Sequence, residues 1–218
     1  MRLIVCNGSP RGDAGNTRLM ADAFLDGFLA TPGQTVERFN LNTAKGLAAA
    51  VEAFPGADAV MLAFPLYTDA MPGIVKEFIE KLAPFKGREG NPRLLFLVQS
   101  GFPEASHCLP VKRYLEKLAR RLGCPCDGVI RKGGGEGLRD SGPRKQEKAR
   151  APFRELGRQF AAGRAPDPAL LKKLAGPPRI PRPLLRVVLW FVGKMAWDKE
   201  LKRNGVFAER KARPYQAG

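Results

Sequence analysis

The sequence lacks a long apolar run, and this absence excludes a membrane-spanning helix. A span needs ~18 consecutive apolar residues, whereas the best candidate, residues 184–197, is interrupted by Arg186 and Lys194. The first residues lead directly into strand-like sequence, with neither the apolar core nor the cleavage site of a signal peptide. These features predict a soluble, cytoplasmic protein.

Cysteine is also scarce, because the 218 residues include only four, Cys6, Cys108, Cys124 and Cys126. Four cysteines in a chain of this length do not form a disulfide framework. Cys124 and Cys126 are separated by one residue, which is the wrong spacing for a Cys-x-x-Cys redox or zinc motif. Cys6 lies within an apolar segment and is expected to be an inert core thiol. No metal site is predicted.

Acidic residues are few in the last third of the chain. Residues 1–140 contain 18 basic and 15 acidic side chains, whereas residues 141–218 contain 19 basic and 6 acidic ones. Six prolines also fall between residues 163 and 184. We therefore expect a domain over residues 1–163 and a basic, proline-broken helical extension over residues 164–218. Such an extension can bind nucleic acid, an anionic membrane or an anionic ligand, although charge alone favours a simple solvated face.

Short apolar segments alternate with longer segments of helical periodicity. The predicted strands are residues 2–7, 36–41, 58–64, 93–98 and 127–131, and the predicted helices are residues 17–29, 44–54, 73–82, 111–122 and 146–160. This alternation predicts a parallel sheet with helices on both faces, a doubly wound α/β fold with three layers. In such folds, ligands bind at the carboxyl ends of the strands.

The loop after the first strand has the composition of a phosphate cradle. Its glycines allow a tight backbone, its short polar side chains can form hydrogen bonds, and its arginine adds a positive charge next to a helix N-terminus. These residues are Gly8, Ser9, Arg11, Gly12, Gly15, Asn16 and Thr17. The loop has neither the P-loop lysine motif nor GxGxxG spacing. The alternative is a plain turn in which Asn16 or Thr17 caps the helix.

Two further loops are expected at the same edge of the sheet. Residues 64–72 are stiffened by proline and place Tyr67 where a planar heterocycle could pack. Residues 99–104 combine glycine with a small polar and an aromatic side chain, and could close over the same ligand. Each loop alone has a structural alternative, but three such loops at one edge favour a shared binding site.

Together these motifs resemble a known family. Gly8-Ser-Pro-Arg11, Gly15-Asn-Thr17, Pro65-Leu-Tyr67 and Pro72-Gly73 resemble the flavodoxin-like NAD(P)H-dependent FMN reductases, and especially the branch that includes the iron–sulfur flavoproteins. Residues 99–102 and 132–137 are similar to later segments of that branch. The resemblance extends over residues 1–163.

The resemblance implies FMN held non-covalently at the carboxyl edge of a five-stranded sheet of order 2-1-3-4-5. The first loop would hold the phosphate, the second would line the isoalloxazine, and the third would lie near the ring. The implied FMN-binding residues are Ser9, Pro10, Arg11, Gly15, Asn16, Thr17, Pro65, Leu66, Tyr67, Thr68, Ser100, Gly101 and Phe102. A homodimer is implied as well.

The sequence departs from the family in two respects. Residues 42–54 contain no cysteine, where the iron–sulfur members have a compact cluster, so no iron–sulfur cluster is predicted. The chain is basic, unlike the acidic electron-carrier flavodoxins, which favours a reductase.

The implied activity is FMN-dependent oxidation of NADPH or NADH, with hydride passed on to a small acceptor such as a quinone, a flavin or an aromatic compound. The flavin supplies this chemistry and the protein supplies placement, so no catalytic acid or base is predicted. The only histidine, His107, is expected to be a surface or capping residue.

Residues 184–197 are too apolar to lie in water as a lone helix. They could pack on their own sheet domain, wrap a dimer partner or lie on a membrane surface. Similarity of residues 197–215 to the C-terminus of longer family members favours a structural role over membrane contact.

Two other functions remain as alternatives. One is a flavodoxin-like electron-transfer protein without NAD(P)H activity. The other is a polyanion- or membrane-surface-binding module with a vestigial flavin fold. For nucleic acid there is little support, since the extension has no helix-turn-helix signal and no aromatic-interleaved RNA motif.

Overall fold

The structure is a computed structural model that describes residues 1–213 and 215, apart from the side chains of Val188, Val192 and Ala196. The chain divides into two compact units, Met1–Pro178 and Arg179–Gly218. Residues 214 and 216–218 of the expected extension lie outside the described residues.

The first unit is built on a sheet of five parallel strands in the order β2-β1-β3-β4-β5. The strands are β1 (Arg2–Asn7), β2 (Thr35–Asn40), β3 (Ala59–Pro65), β4 (Arg93–Gln99) and β5 (Cys126–Lys132). The predicted fold class and strand order are therefore confirmed. The central strand β3 is buried along its whole length, which explains its continuous apolar sequence, because a parallel strand is covered on both faces.

Helices cover both faces of this sheet. Helices α1 (Asn16–Phe28) and α5 (Pro143–Ala161) lie on one face, and α2 (Ala44–Ala53), α3 (Gly73–Lys81) and α4 (Leu109–Leu122) lie on the other. Successive side chains of a strand point to opposite faces. In β3, Met61 and Ala63 therefore join the α1–α5 core, while Leu62 and Phe64 join the α2–α4 core.

Helices α1 and α5 approach so closely that each needs a glycine at the contact. A methyl group added at Gly27 would overlap the backbone of Arg154, and one added at Gly157 would lie 2.8 Å from the Phe28 amide nitrogen and closer still to the Phe24 carbonyl. The close contact fixes the position of α1, which begins directly after the first loop.

The first unit extends beyond the predicted boundary between residues 163 and 164. Helix α6 (Pro168–Ala175) begins where the Asp167 carboxylate accepts a hydrogen bond of 2.8 Å from the Ala169 amide. Leu174 is buried in the α1–α5 core, and its carbonyl accepts a hydrogen bond from the Gly133 amide. The compact unit accordingly ends at Pro178, which places α6 with the sheet.

The second unit is helical. It contains α7 (Arg182–Val192), a π-helical turn (Gly193–Trp197) and α8 (Asp198–Arg203). Among residues 1–213 and 215, no helix is long and apolar enough to cross a bilayer.

Gly157→Ala is expected to lower the free energy of unfolding by about 2 kcal/mol, because overpacking against backbone outweighs the gain in helix propensity. Urea unfolding of the full chain measures this change. Gly73→Ala is the matched control, since nothing lies within 4 Å of the added methyl group there, and it should be neutral or slightly stabilising. Equal effects of the two substitutions would contradict the close α1–α5 contact.

Candidate functional site

The first loop is organised by Asn7, the last residue of β1. Its side chain is buried, with 4% of its surface exposed. The Nδ2 group donates hydrogen bonds of 3.0 Å to the Gly12 carbonyl and to Asn40 Oδ1, while Oδ1 accepts one of 3.1 Å from the Ser9 amide. Gly12 adopts φ +54°, which favours glycine. Asn7 was not among the predicted binding residues, although a polar side chain at the end of a buried strand is a signal for such a role.

Helix α1 begins without a side-chain cap. Gly15 occupies the N-cap position, and no side chain accepts a hydrogen bond there, so the alternative in which Asn16 or Thr17 caps the helix is wrong. Thr17 is fully buried, and its hydroxyl has no hydrogen-bond partner. An unpaired buried hydroxyl beside uncapped amides is costly unless a ligand pairs with it. This arrangement suits an anion.

Gly15 also faces Ser9 across the loop. A methyl group added at Gly15 would lie 2.6 Å from Ser9 Oγ. The close approach of these two residues keeps the loop narrow, so that its backbone and the start of α1 line the same space.

The second loop contains a strained two-residue turn. Tyr67 and Ala70 exchange backbone hydrogen bonds of 2.9 and 3.1 Å, and between them Thr68 and Asp69 adopt φ +50° and +60°. Positive φ is unfavourable for a β-branched residue such as Thr68. Leu66 anchors the loop, because its amide donates a 2.7 Å hydrogen bond to the Gln99 carbonyl, and Tyr67 is half-exposed.

The third loop is held in place by a hydrogen bond to one of its own side chains, Ser100, and by the loop that follows β5. Ser100 is buried, and its Oγ accepts a hydrogen bond of 3.1 Å from the Phe102 amide. The Gly134 and Gly135 amides donate to the Phe102 and Ser100 carbonyls, at 2.9 and 2.8 Å. The glycine-rich segment after β5 thus forms a fourth wall at the same edge of the sheet.

This fourth loop also reaches the start of α1. The Arg139 amide donates to Asn16 Oδ1 at 3.0 Å, and the Arg139 guanidinium donates to the carbonyls of Asp13 and Gly15 at 2.8 and 3.2 Å. Glu136 forms an exposed ion pair with Arg11 at 3.8 Å. Glu136 and Arg139 were not among the predicted site residues, because they follow a weak strand and meet the first loop only through the fold.

These four loops border one cavity. Its lining includes one cation and one carboxylate, together with backbone and small polar groups. The lining residues are Ser9, Arg11, Gly15, Asn16, Pro65, Leu66, Tyr67, Gln99, Gly101 and Glu136. The three predicted loops are therefore brought together, whereas the predicted residues Pro10, Thr17, Thr68, Ser100 and Phe102 do not line the cavity.

Gln99, which was not a predicted binding residue, lines this cavity at the end of β4. Its side chain is buried, and its Oε1 atom has no hydrogen-bond partner. The amide oxygen can accept a hydrogen bond from an N–H group of a ligand. Gln99 and Thr17 are thus two buried polar groups without partners at one edge of the sheet.

His107 joins the second loop to the third. Its ring nitrogens lie 2.8 Å from Asp69 Oδ1 and 3.3 Å from Glu104 Oε2, and its ring stacks on Phe102 at 4.8 Å between centroids. The predicted surface role of His107 therefore understates its contacts, since it fixes the strained turn against the third loop.

Two groups on the strands of the sheet have pKa values shifted by burial. Burial raises the pKa of the Cys6 thiol, so this thiol is protonated and unreactive at neutral pH. Burial lowers the pKa of Lys132, whose ammonium group donates to the Gly133 carbonyl. Within residues 1–213 and 215, no group of three or more His, Cys, Asp or Glu side chains is arranged to hold a metal ion.

Comparison with known proteins identifies the architecture. Residues 1–90 match a family model described as a flavodoxin-like fold. The chain has the flavodoxin-like fold. Among curated protein sequences, none matches the chain.

Similar solved structures agree with this assignment. An FMN-dependent NADH-azoreductase from Bacillus anthracis, crystallised with FMN, aligns with a TM-score of 0.55 at 14% identity, covering 74% of this chain and 100% of that chain. An NAD(P)H:quinone oxidoreductase from Methanothermobacter marburgensis aligns with a TM-score of 0.55 at 16% identity, over 73% and 96%. An NADH:FMN oxidoreductase in its apo form gives 0.56 at 20% identity, over 84% and 98%. The resemblance is confirmed at the level of the fold.

Asn7→Ala is expected to lower the free energy of unfolding by about 2–4 kcal/mol, because it leaves several buried polar groups without partners. Asn42→Ala is the matched control in the same region. The Asn42 side chain makes only an exposed hydrogen bond of 3.4 Å to the Pro10 carbonyl, so its loss should cost less than about 0.5 kcal/mol. Urea unfolding of both variants without added ligand makes the comparison, and similar losses would count against the organising role of Asn7.

Proposed function

We propose that this protein is an FMN-dependent NAD(P)H oxidoreductase that passes hydride from a nicotinamide to bound FMN and on to a small acceptor such as a quinone, a flavin or an aromatic compound. The observation that carries the proposal is the cavity that the four loops border, where the uncapped start of α1 meets the polar groups of Ser9, Arg11 and Asn16. The similar solved structures, which are an FMN-dependent NADH-azoreductase, an NADH:FMN oxidoreductase and an NAD(P)H:quinone oxidoreductase, support the same class of activity.

The first loop fits a phosphate monoester. Backbone amides at the start of a helix favour a negative charge, and the Thr17 hydroxyl can donate the hydrogen bond that it lacks. Ser9 and Asn16 line the same cavity. The Arg11 guanidinium, more than half exposed, can exchange its 3.8 Å contact with Glu136 for a phosphate oxygen.

The second and third loops fit a planar heterocycle. Pro65, Leu66 and Tyr67 form one wall of the cavity, and Gly101 borders it from the third loop. The unpaired Oε1 of Gln99 can accept a hydrogen bond from an N–H group at the edge of an isoalloxazine ring. The hydrogen bonds that fix Leu66 and Tyr67 hold this wall in place before any ligand binds.

FMN supplies the redox chemistry when it is bound, accepting hydride from a nicotinamide and giving electrons to an acceptor. The protein has to position the ring, exclude water from one face and leave the other face open. Tyr67 and Phe102 are both exposed aromatic side chains on loops that border the cavity. They provide flat surfaces against which a nicotinamide or an aromatic acceptor can pack.

His107 acts as a positioning residue in this proposal. Both of its ring nitrogens already face carboxylates, and its ring supports Phe102. It therefore holds the second and third loops together instead of exchanging protons with a substrate.

The deciding experiment is an absorption spectrum of the purified full chain with added FMN, followed by anaerobic addition of NADH or NADPH. Retained flavin that is bleached within seconds by one nucleotide is expected, and it would also identify the donor. Flavin that binds but stays oxidised with both nucleotides would favour an electron carrier. Failure to bind FMN would overturn the proposed cradle.

Thr17→Val is expected to weaken FMN binding by about tenfold or more, because it removes a hydrogen bond to a charged phosphate. Binding of riboflavin, which lacks the phosphate, should be unchanged. Unfolding of the ligand-free protein should be no easier, since the hydroxyl makes no hydrogen bond there. Fluorescence titration measures both affinities.

Thr31→Val, which changes a partly exposed threonine outside the cavity, is the matched control and should leave both affinities unchanged. An equal loss of FMN and riboflavin binding in Thr17→Val would contradict the assignment of Thr17 to the phosphate.

A further inference from the structure

The second unit exposes an unusual amount of apolar surface. In α7 and the following π-helical turn, Leu184, Val187, Leu189, Trp190, Phe191, Met195 and Trp197 are each between 53% and 65% exposed. Exposed apolar surface on this scale marks an interaction site in a folded protein.

The apolar side chains form a stripe along the helix. Leu184, Val187 and Phe191 follow one another at intervals of three and four residues, which places them on one face. Met195 continues this spacing in the π-helical turn. We call these four residues the apolar stripe.

In a second stripe, every charged side chain is positive. Arg182, Arg186, Trp190 and Lys194 follow at intervals of four residues, and the Lys194 ammonium lies 5.4 Å from the centre of the Trp190 ring. We call these four residues the cationic stripe. No acidic residue occurs between residues 168 and 197 in the sequence. The charged side chains of α7 and the π-helical turn are thus all positive, and they lie beside the apolar stripe.

We infer that α7 and the π-helical turn form a docking surface for an anionic lipid bilayer, lying in the plane of its surface. Helices with one apolar face, a basic polar face and tryptophan bind at the boundary between headgroups and acyl chains. The apolar stripe would enter the acyl region, while Arg182, Arg186 and Lys194 would meet lipid phosphates. The long alkyl stems of these side chains allow their charged ends to reach the headgroups.

Charge distinguishes this partner from the alternatives. Residues 179–213 contain ten basic and three acidic side chains, so a second copy of the same segment would bring like charges together. A nucleic acid would satisfy the cationic stripe but would leave the apolar stripe in water. An anionic bilayer satisfies both stripes. The sequence resemblance of residues 197–215 favoured a structural role over membrane contact. The exposure of the apolar side chains in α7 and the π-helical turn favours membrane contact instead.

The test uses the full chain and vesicles of either pure phosphatidylcholine or phosphatidylcholine mixed with phosphatidylglycerol. The chain's two tryptophans are Trp190 and Trp197, so intrinsic fluorescence reports on this surface directly. A blue shift and co-sedimentation with the anionic vesicles only are expected, weakening as salt is raised. The readout does not depend on flavin binding.

Two variants separate the contributions of the stripes. L184Q/F191Q should weaken binding at least about tenfold by removing apolar contact, and R186Q/K194Q should weaken it by about fivefold for each charge removed. The matched control is L29Q/L109Q, which makes the same kind of change at exposed leucines of the first unit and should bind like the parent protein.

Four outcomes would overturn the inference. Two are the absence of binding to anionic vesicles and equal binding to neutral and anionic vesicles. A third is vesicle binding that L184Q/F191Q leaves unchanged, which would indicate a polyanion site. The fourth is a dimer, measured by analytical ultracentrifugation without lipid, that L184Q/F191Q dissociates, which would indicate that a second copy covers the stripe.

Discussion

Parallel pairing of the strands is the constraint on which the candidate site depends. Because β1, β3, β4 and β5 run in the same direction, the loops that follow them emerge at one edge of the sheet. The close contact of α1 with α5 then fixes where α1 begins relative to those loops. The four loops, which are far apart in the sequence, border one cavity as a direct consequence.

Buried polar groups at this edge of the sheet differ in whether they have hydrogen-bond partners. Asn7 has hydrogen-bond partners for both ends of its amide, and so it stabilises the loop without any ligand. The Thr17 hydroxyl and the Gln99 side-chain oxygen have none. An unpaired buried polar atom costs free energy, and a ligand that pairs with both atoms regains that energy on binding. This edge of the sheet can therefore be stable without a ligand, and in the proposed function its unpaired atoms would favour a ligand with a phosphate and a polar ring edge.

The sequence was sufficient to predict the sheet and the first three loops, because apolar runs, glycine and proline are local signals. Contacts between residues that are far apart in the sequence could not be predicted in this way. Arg139 meets the start of α1 more than a hundred residues earlier in the chain, and no local pattern announces such a contact. The positive φ angles of Thr68 and Asp69 run against their residue types. Helix α6 was not predicted as a separate helix, because prolines surround it in the sequence. Proline at the first positions of a helix marks its beginning instead of preventing it.

The two units differ in the burial of their aromatic side chains and in how far their positive side chains outnumber their negative ones. In the first unit the large aromatic side chains Phe24, Phe64 and Phe153 are fully buried, and many surface charges form pairs, as Arg93 does with Asp127. In the second unit both tryptophans are exposed and basic residues far outnumber acidic ones. The fold of the first unit itself removes these apolar side chains from water. The inferred docking surface, an exposed apolar stripe beside an unbalanced positive charge, would require a partner that is apolar and anionic at once, and this requirement makes the chemistry of the proposed partner more specific than either feature alone.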